Sequence, residues 1–163
     1  MKISFSCINF YGMPSNYSPV DRFVSRSAQP KQEDFAWLKE HGVTDVFNFR
    51  TMYRPDVDFD EEKTVKELGM NYHNIPSITA EPTEENVELF LTEMEEVRQR
   101  GGKAHIHCKA GADRTGMYAF IYKMLHRIGT FDGNLEEWIA RGLHYRSYPN
   151  LMDWAKNYVK RYK

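Results

Sequence analysis

The chain has 163 residues, 41% of them hydrophobic and 28% charged, with a formal net charge of −1. That is the length of one domain, with room for a proper core. No apolar run is long enough to span a membrane and no basic tract carries interleaved aromatics, so neither an integral membrane protein nor a nucleic-acid partner is expected. Cys7 and Cys108 are too few for a disulfide framework, and a single Cys7–Cys108 bridge is the weaker reading of them. The first residues, Met1 to Cys7, lack the long apolar stretch and small-residue cleavage site of a signal peptide. A cytoplasmic setting is expected for a full-length chain; one trimmed of an export signal would read the same.

The elements alternate along the chain. Residues 1–30 are rich in Ser, Pro, Asn and Tyr and read as an irregular wrap. Gln32 to Glu40, with Phe35, Ala36, Trp37 and Leu38 and a following Gly42, reads as a short helix. Val43 to Phe49 reads as a strand, Asp60 to Leu68 as a helix ended by Gly69, and Met70 to Ile75 as a strand cut off by Pro76. Thr83 can cap a long helix with Val87, Phe90, Leu91, Met94 and Val97 on one face, ended by Gly101 and Gly102. Lys103 to His107 is a short strand. Thr115 to Ile128 is a helix with Tyr118, Ile121, Tyr122, Leu125 and Ile128 inward. Two more helices follow near 134–141 and 149–161. No internal repeat or linker interrupts the chain, so residues 1–163 read as a single domain. Alternating strands and helices give an α/β fold with a central sheet.

The near-neutral charge hides an asymmetry. Residues 1–96 hold nine Lys and Arg against eighteen Asp and Glu, whereas residues 97–163 hold thirteen against five. Folding into one surface mixes such charges; a C-terminal half that favours anions is the functional alternative. The basic last helix, with Lys156, Lys160, Arg161 and Lys163, reads as a solvated face.

The stretch Ile106-His107-Cys108-Lys109-Ala110-Gly111-Ala112-Asp113-Arg114-Thr115-Gly116 is the turn from a strand into a helix. Ligands of open α/β sheets bind at such strand ends, and a helix N-terminus there offers free N–H groups. A free thiol has a pKa near ~8.5, and amides plus a guanidinium can lower it to roughly 3.5–7.5. The same amides form a nest for a phosphate. Gly111 lets the chain curl and Gly116 lets the helix start pack closely. Arg114 supplies a planar fork for two phosphate oxygens. The loop thus joins a nucleophile, Cys108, to a phosphoryl clamp of Arg114 and the amides of residues 109–112, and attack of sulfur on phosphorus divides hydrolysis into two displacements. Thr115 reads either as a hydroxyl steadying the leaving thiolate or as a helix cap. His107 orients the loop or is a satisfied core histidine. His105 and His107 do not make a metal site, because no second cluster completes it.

His107-Cys108-x5-Arg114-Thr115-Gly116 resembles the signature of the cysteine-dependent protein-tyrosine-phosphatase superfamily. Phe23 to Pro30, with its Ser-Ala-Gln element, is similar to small dual-specificity-like phosphatases and tyrosine-phosphatase-like phytases. Val46 to Arg50 and Asn74-Ile75-Pro76 are similar to strand ends of the same groups. The resemblance implies a four- or five-stranded, largely parallel sheet flanked by helices, of dual-specificity size, a phosphocysteine intermediate and no metal or other cofactor. Classical members carry an acidic Asp on a loop well upstream of the cysteine. That loop here, Ser77 to Thr83, offers only Glu81. Asp113, directly before the arginine as in myotubularin-type phosphatases, is the favoured general acid and Glu81 its rival; an ion pair with Arg114 is the plain alternative for Asp113.

Lys109 in the loop and Arg26, Arg50 and Arg54 on neighbouring segments suit a substrate with several phosphates. Lys-Ala-Gly after the cysteine is similar to phosphoinositide 3-phosphatases. The expected substrate is an inositol polyphosphate such as phytate. A dual-specificity or tyrosine protein phosphatase acting on a phosphoprotein is the alternative, and a phosphate-binding protein without turnover the non-enzymatic one. The protein is expected to act as a monomer.

Overall fold

The computed structural model describes residues 12–162; Cys7, and with it the bridge to Cys108, lies outside them. Within them five strands form one sheet: β1 (Ser18–Pro19), β2 (Val24–Ser27), β3 (Asp45–Asn48), β4 (Asn71–Asn74) and β5 (Ala104–His107), in the order β1-β2-β5-β3-β4. Only β1 runs antiparallel to its neighbour; β2, β5, β3 and β4 are all parallel. Six helices flank the sheet: α1 (Gln32–Glu40), α2 (Glu61–Glu67), α3 (Glu84–Gln99), α4 (Arg114–Leu125), α5 (Phe131–Ala140) and α6 (Pro149–Lys160).

The expected α/β architecture is therefore present, with five strands. The irregular wrap expected for residues 1–30 is corrected at 18–27, where β1 and β2 form. The sequence of β2, Val-Ser-Arg-Ser, hides its burial because three of four residues are polar. Their burial is made affordable by β5. His105, fully buried, bonds Ser25 Oγ through Nδ1 (2.8 Å) and Ser27 Oγ through Nε2 (2.7 Å). This also explains His105 as a satisfied sheet histidine whose pKa is driven down by burial.

Two apolar layers sandwich the sheet. On one face Phe35 and Leu38 of α1 and Val65 of α2 pack on Val46. On the other Phe90, Met94 and Val97 of α3, and Tyr118 and Ile121 of α4, pack on Phe47, Phe49 and Ile106. Helix starts follow the sequence signals: Thr83 Oγ1 accepts from Asn86 N, Asp60 from Lys63 N and Thr130 from Gly133 N. The parallel strands point their carboxyl ends to one edge, where β5 runs through residues 108–113 into α4.

Candidate active site

The loop from Cys108 to Asp113 is shaped from outside. Five consecutive carbonyls are each drawn away from the loop's centre by a donor from a different place in the sequence. His107 Nδ1 donates to Cys108 O (3.1 Å), and Gln29 N to Lys109 O (2.9 Å). Asn16 Nδ2 donates to Ala110 O (3.2 Å), Arg26 Nη2 to Gly111 O (2.8 Å) and Trp138 Nε1 to Ala112 O (2.9 Å). In a trans peptide the N–H points opposite to its C=O, and no peptide bond among the described residues is cis. The amides of residues 109–113 are therefore turned inward, toward the space above Cys108. Gly111 makes the curl possible: its φ is +70°, and a Cβ there would lie 2.5 Å from Ala28 N and from Ser27 C.

A cleft of 510 Å³ opens onto this loop, lined by Cys108, Lys109, Asp113, Arg114, His144 and Tyr148 among others, with Thr79 contributed by the segment after β4. Cys108 is buried with a free thiol. Arg114, the first residue of α4, is half-buried; its Nη1 donates to Ser77 O at 3.2 Å, which braces the guanidinium from the segment carrying Thr79. Lys109 and Ala110 are exposed at the mouth. The Thr115 hydroxyl is buried and has no hydrogen-bond partner among the described residues. It is a donor in reserve beside the loop.

The expected acids separate clearly. Glu81 is exposed and does not line the cleft. Asp113 does. It stands at the N-cap of α4, yet its carboxylate makes no cap bond. Instead Oδ1 accepts from His144 N (2.7 Å) and Oδ2 meets His144 Nδ1 (2.8 Å). The ion pair with Arg114 weighed from the sequence is not formed.

The three N-terminal arginines do not gather in the cleft. Arg26 is buried behind the loop, its Nε without a partner among the described residues, and burial lowers its pKa while the Glu137 and Cys108 charges oppose that. It is a brace for Gly111 rather than a substrate contact. Arg50 is buried and forms a fork with Asp56 (Nη2–Oδ1 2.6 Å, Nη1–Oδ2 3.0 Å), with Gln29 Oε1 at 3.0 Å. The Arg50 fork holds the Asp56 carboxyl down to about 2. Arg54 donates to Thr51 O and Asn74 Oδ1 and lines a separate cleft of 490 Å³ with Tyr72 and Glu61.

His107 is fully buried with Nδ1 on Cys108 O and Nε2 on Glu61 Oε2 at 2.8 Å. Glu61 also accepts from Gln29 Nε2 (2.7 Å) and Asn48 Nδ2 (3.1 Å). Burial alone would raise the Glu61 pKa; the charge and hydrogen bond of His107 outweigh it and the value is lowered. Sequence reasoning missed Glu61, Asn16, Trp138 and His144. Gln29 was visible only as part of the Ser-Ala-Gln resemblance.

A protein-family model described as DSP-PTPase phosphatase fused to NAD+ kinase matches residues 14–141. No curated protein matches the chain by sequence. Among solved structures, a putative phosphatase from Shewanella putrefaciens CN-32 superposes with a TM-score of 0.76 at 23% identity, covering 96% of this chain and 95% of that one. TpbA of P. aeruginosa gives 0.69 at 22% identity, covering 90% and 84%. The core catalytic domain of the PP-IP phosphatase SIW14 from S. cerevisiae gives 0.70 at 17% identity, covering 91% and 85%. These likenesses show that the chain shares its α/β fold with those proteins. The match over most of its length shows that the chain belongs to this DSP-PTPase phosphatase family, within the cysteine-dependent protein-tyrosine-phosphatase superfamily.

Proposed function

We propose that the protein hydrolyses phosphate monoesters in two displacements at Cys108. The observation that carries this reading is the outward capture of five successive loop carbonyls, which leaves a ring of amides around the thiol. Those amides and Arg114 meet the charge on the equatorial oxygens of a phosphoryl group. Cys108 sulfur attacks phosphorus, the ester oxygen leaves with a proton from the Asp113 side of the cleft, and water then releases phosphate from the phosphocysteine. Thr115 supports the returning thiolate with a hydroxyl that has no partner among the described residues.

The substrate reading turns on which cations face the cleft. An inositol polyphosphate was expected from a cluster of Arg26, Arg50 and Arg54 with Lys109. Of these only Lys109 lines the cleft, beside Arg114 and His144. One clamp with Tyr148 on the wall suits a single phosphoryl group on an aryl or peptide carrier, so a phosphoprotein-type ester is the first reading. Inositol polyphosphate is the second, favoured by the exposed Lys109 at the mouth.

The test is phosphate release from an aryl phosphate, a phosphotyrosine peptide and phytate by wild type and Cys108→Ser. Wild-type turnover that vanishes in the serine variant is expected, with the peptide preferred over phytate. Equal rates from the two proteins would refute the phosphocysteine route, and a preference for phytate would reverse the substrate order.

A further inference from the structure

The pairing of Asp113 with His144 changes where the leaving-group proton is held. Both Asp113 oxygens are already occupied, one by the backbone N–H and one by the ring Nδ1 of the same residue. Two of the roughly four acceptor sites of the carboxylate are thus committed to one residue, and the two bonds together fix the orientation of the His144 ring. His144 lies on the segment between α5 and α6. Its side chain is 56% exposed, it lines the cleft with Cys108 and Arg114, and no described residue bonds its Nε2. A cleft-lining histidine whose Nδ1 is fixed by a carboxylate has its other ring nitrogen left for proton transfer.

We infer that His144 is the proton donor of the reaction and that Asp113 positions it. This rests on the phosphatase reading above and deepens it. In the first step the Cys108 thiolate forms the S–P bond as the P–O ester bond breaks. The electron pair of that bond goes to the leaving oxygen, which takes the proton from Nε2 of the His144 imidazolium, leaving neutral imidazole. In the second step a water oxygen bonds phosphorus and gives one proton to Nε2. The S–P bond breaks, its electron pair returns to Cys108, and inorganic phosphate leaves with the imidazolium restored. Nδ1–H stays on Asp113 throughout. The titratable and charged groups that share the cleft with His144 are Asp113, Lys109, Arg114 and Cys108; its own segment carries Arg146, Tyr145 and Tyr148.

The inference separates from its rival, Asp113 as direct donor, by the order of variant effects. Single-turnover rates are measured with p-nitrophenyl phosphate, whose leaving group needs no proton, and with an alkyl phosphate, whose leaving group does. His144→Ala is expected to lose about 100-fold or more on the alkyl ester, in line with general acid catalysis, with a far smaller loss on the nitrophenyl ester. Free imidazole should restore part of the alkyl rate. His144→Asn keeps an amide N–H for Asp113, guards against loss of loop order, and should be as poor as His144→Ala. Asp113→Asn should lose less than either. An alkyl rate unchanged in His144→Ala, or a His144→Asn variant near wild type beside an Asp113→Asn variant that imidazole does not help, overturns the inference. Failure of the phosphatase reading looks different: wild type, with His144 intact, would show no Cys108-dependent release from the nitrophenyl ester.

Discussion

Glu61 and His107 are joined in the interior by a 2.8 Å contact between Oε2 and Nε2, one residue before Cys108. The other ring nitrogen is committed to the Cys108 carbonyl. The start of α2 is thereby coupled to the first peptide of the phosphate loop, and the carboxylate of Glu61 is the anchor for both.

Removing one partner of a buried charge pair leaves the other uncompensated. Glu61→Ala is expected to lose about 3 kcal/mol of stability at neutral pH, read from urea unfolding, and to slow turnover because His107 no longer holds the Cys108 peptide. The sign with pH follows from the lowered Glu61 pKa. Its stabilisation is present above the ordinary glutamate value and is lost as pH falls through the folded-state value. The variant should therefore show a shallower loss of stability on acidification than wild type; parallel acid curves would argue against this anchor.

Gly111→Ala tests the curl itself. The substitution meets two obstacles, a φ of +70° and backbone of Ser27 and Ala28 at 2.5 Å. Neither can yield without moving β2 or the loop. The expected outcome is loss of phosphatase turnover by at least about tenfold for each ~1.4 kcal/mol of displaced clamp, with the far-ultraviolet dichroism of the helices kept. A fully active alanine variant would mean that the amide ring is not needed in this shape.

Much of this architecture was legible in the sequence because its causes are local. The β5-loop-α4 unit, the capping Thr83 and the faces of α3 and α4 are set by residues close together in the chain. What was not legible depends on distant partners. Ser25 and Ser27 look like loop residues until His105 of β5 is placed between them. Arg26 and Arg50 look like substrate cations until Gly111 O and Asp56 consume their donors. Asp113 looked like a free acid, or a partner for Arg114, because nothing near it in sequence announces His144. A charge pattern gives the number of cations, and only the fold shows which are already spent.

His73 provides a pH response away from the cleft. It lies between Asp45 Oδ1 (2.8 Å) and Glu93 Oε2 (2.8 Å), with Arg100 also on Asp45. Burial would lower its pKa, but hydrogen bonds to the two carboxylates raise it. Asp45, whose burial opposes ionisation, is nonetheless held below the usual carboxylate range by His73, Arg100 and Thr44. The His73 contribution is full below the ordinary histidine value near ~6.5 and is lost as pH rises through the raised folded-state value. Thermal unfolding from mildly acidic to alkaline pH should show wild type falling more than His73→Gln. Because Asp45 begins β3, at the edge opposite the loop, turnover at neutral pH should be unchanged by the substitution. Identical pH slopes in the two proteins would rule out this role.

Asp56 offers a test of how substrate choice is set. Its carboxylate neutralises Arg50, and it also feels the charge of Lys109. Asp56→Ala removes that neutralisation and leaves Arg50 held by Gln29 alone. The potential around Lys109 then becomes more positive, which should matter most for the most highly charged substrate. We expect the KM for phytate to fall about tenfold, equivalent to ~1.4 kcal/mol, while the KM for an aryl phosphate changes much less. Since the Asp56 side chain is 40% exposed, the gain should shrink as salt is added and the screening length shortens. Equal changes for both substrates, or a gain insensitive to salt, would show that Asp56 acts on the loop's shape and not through charge.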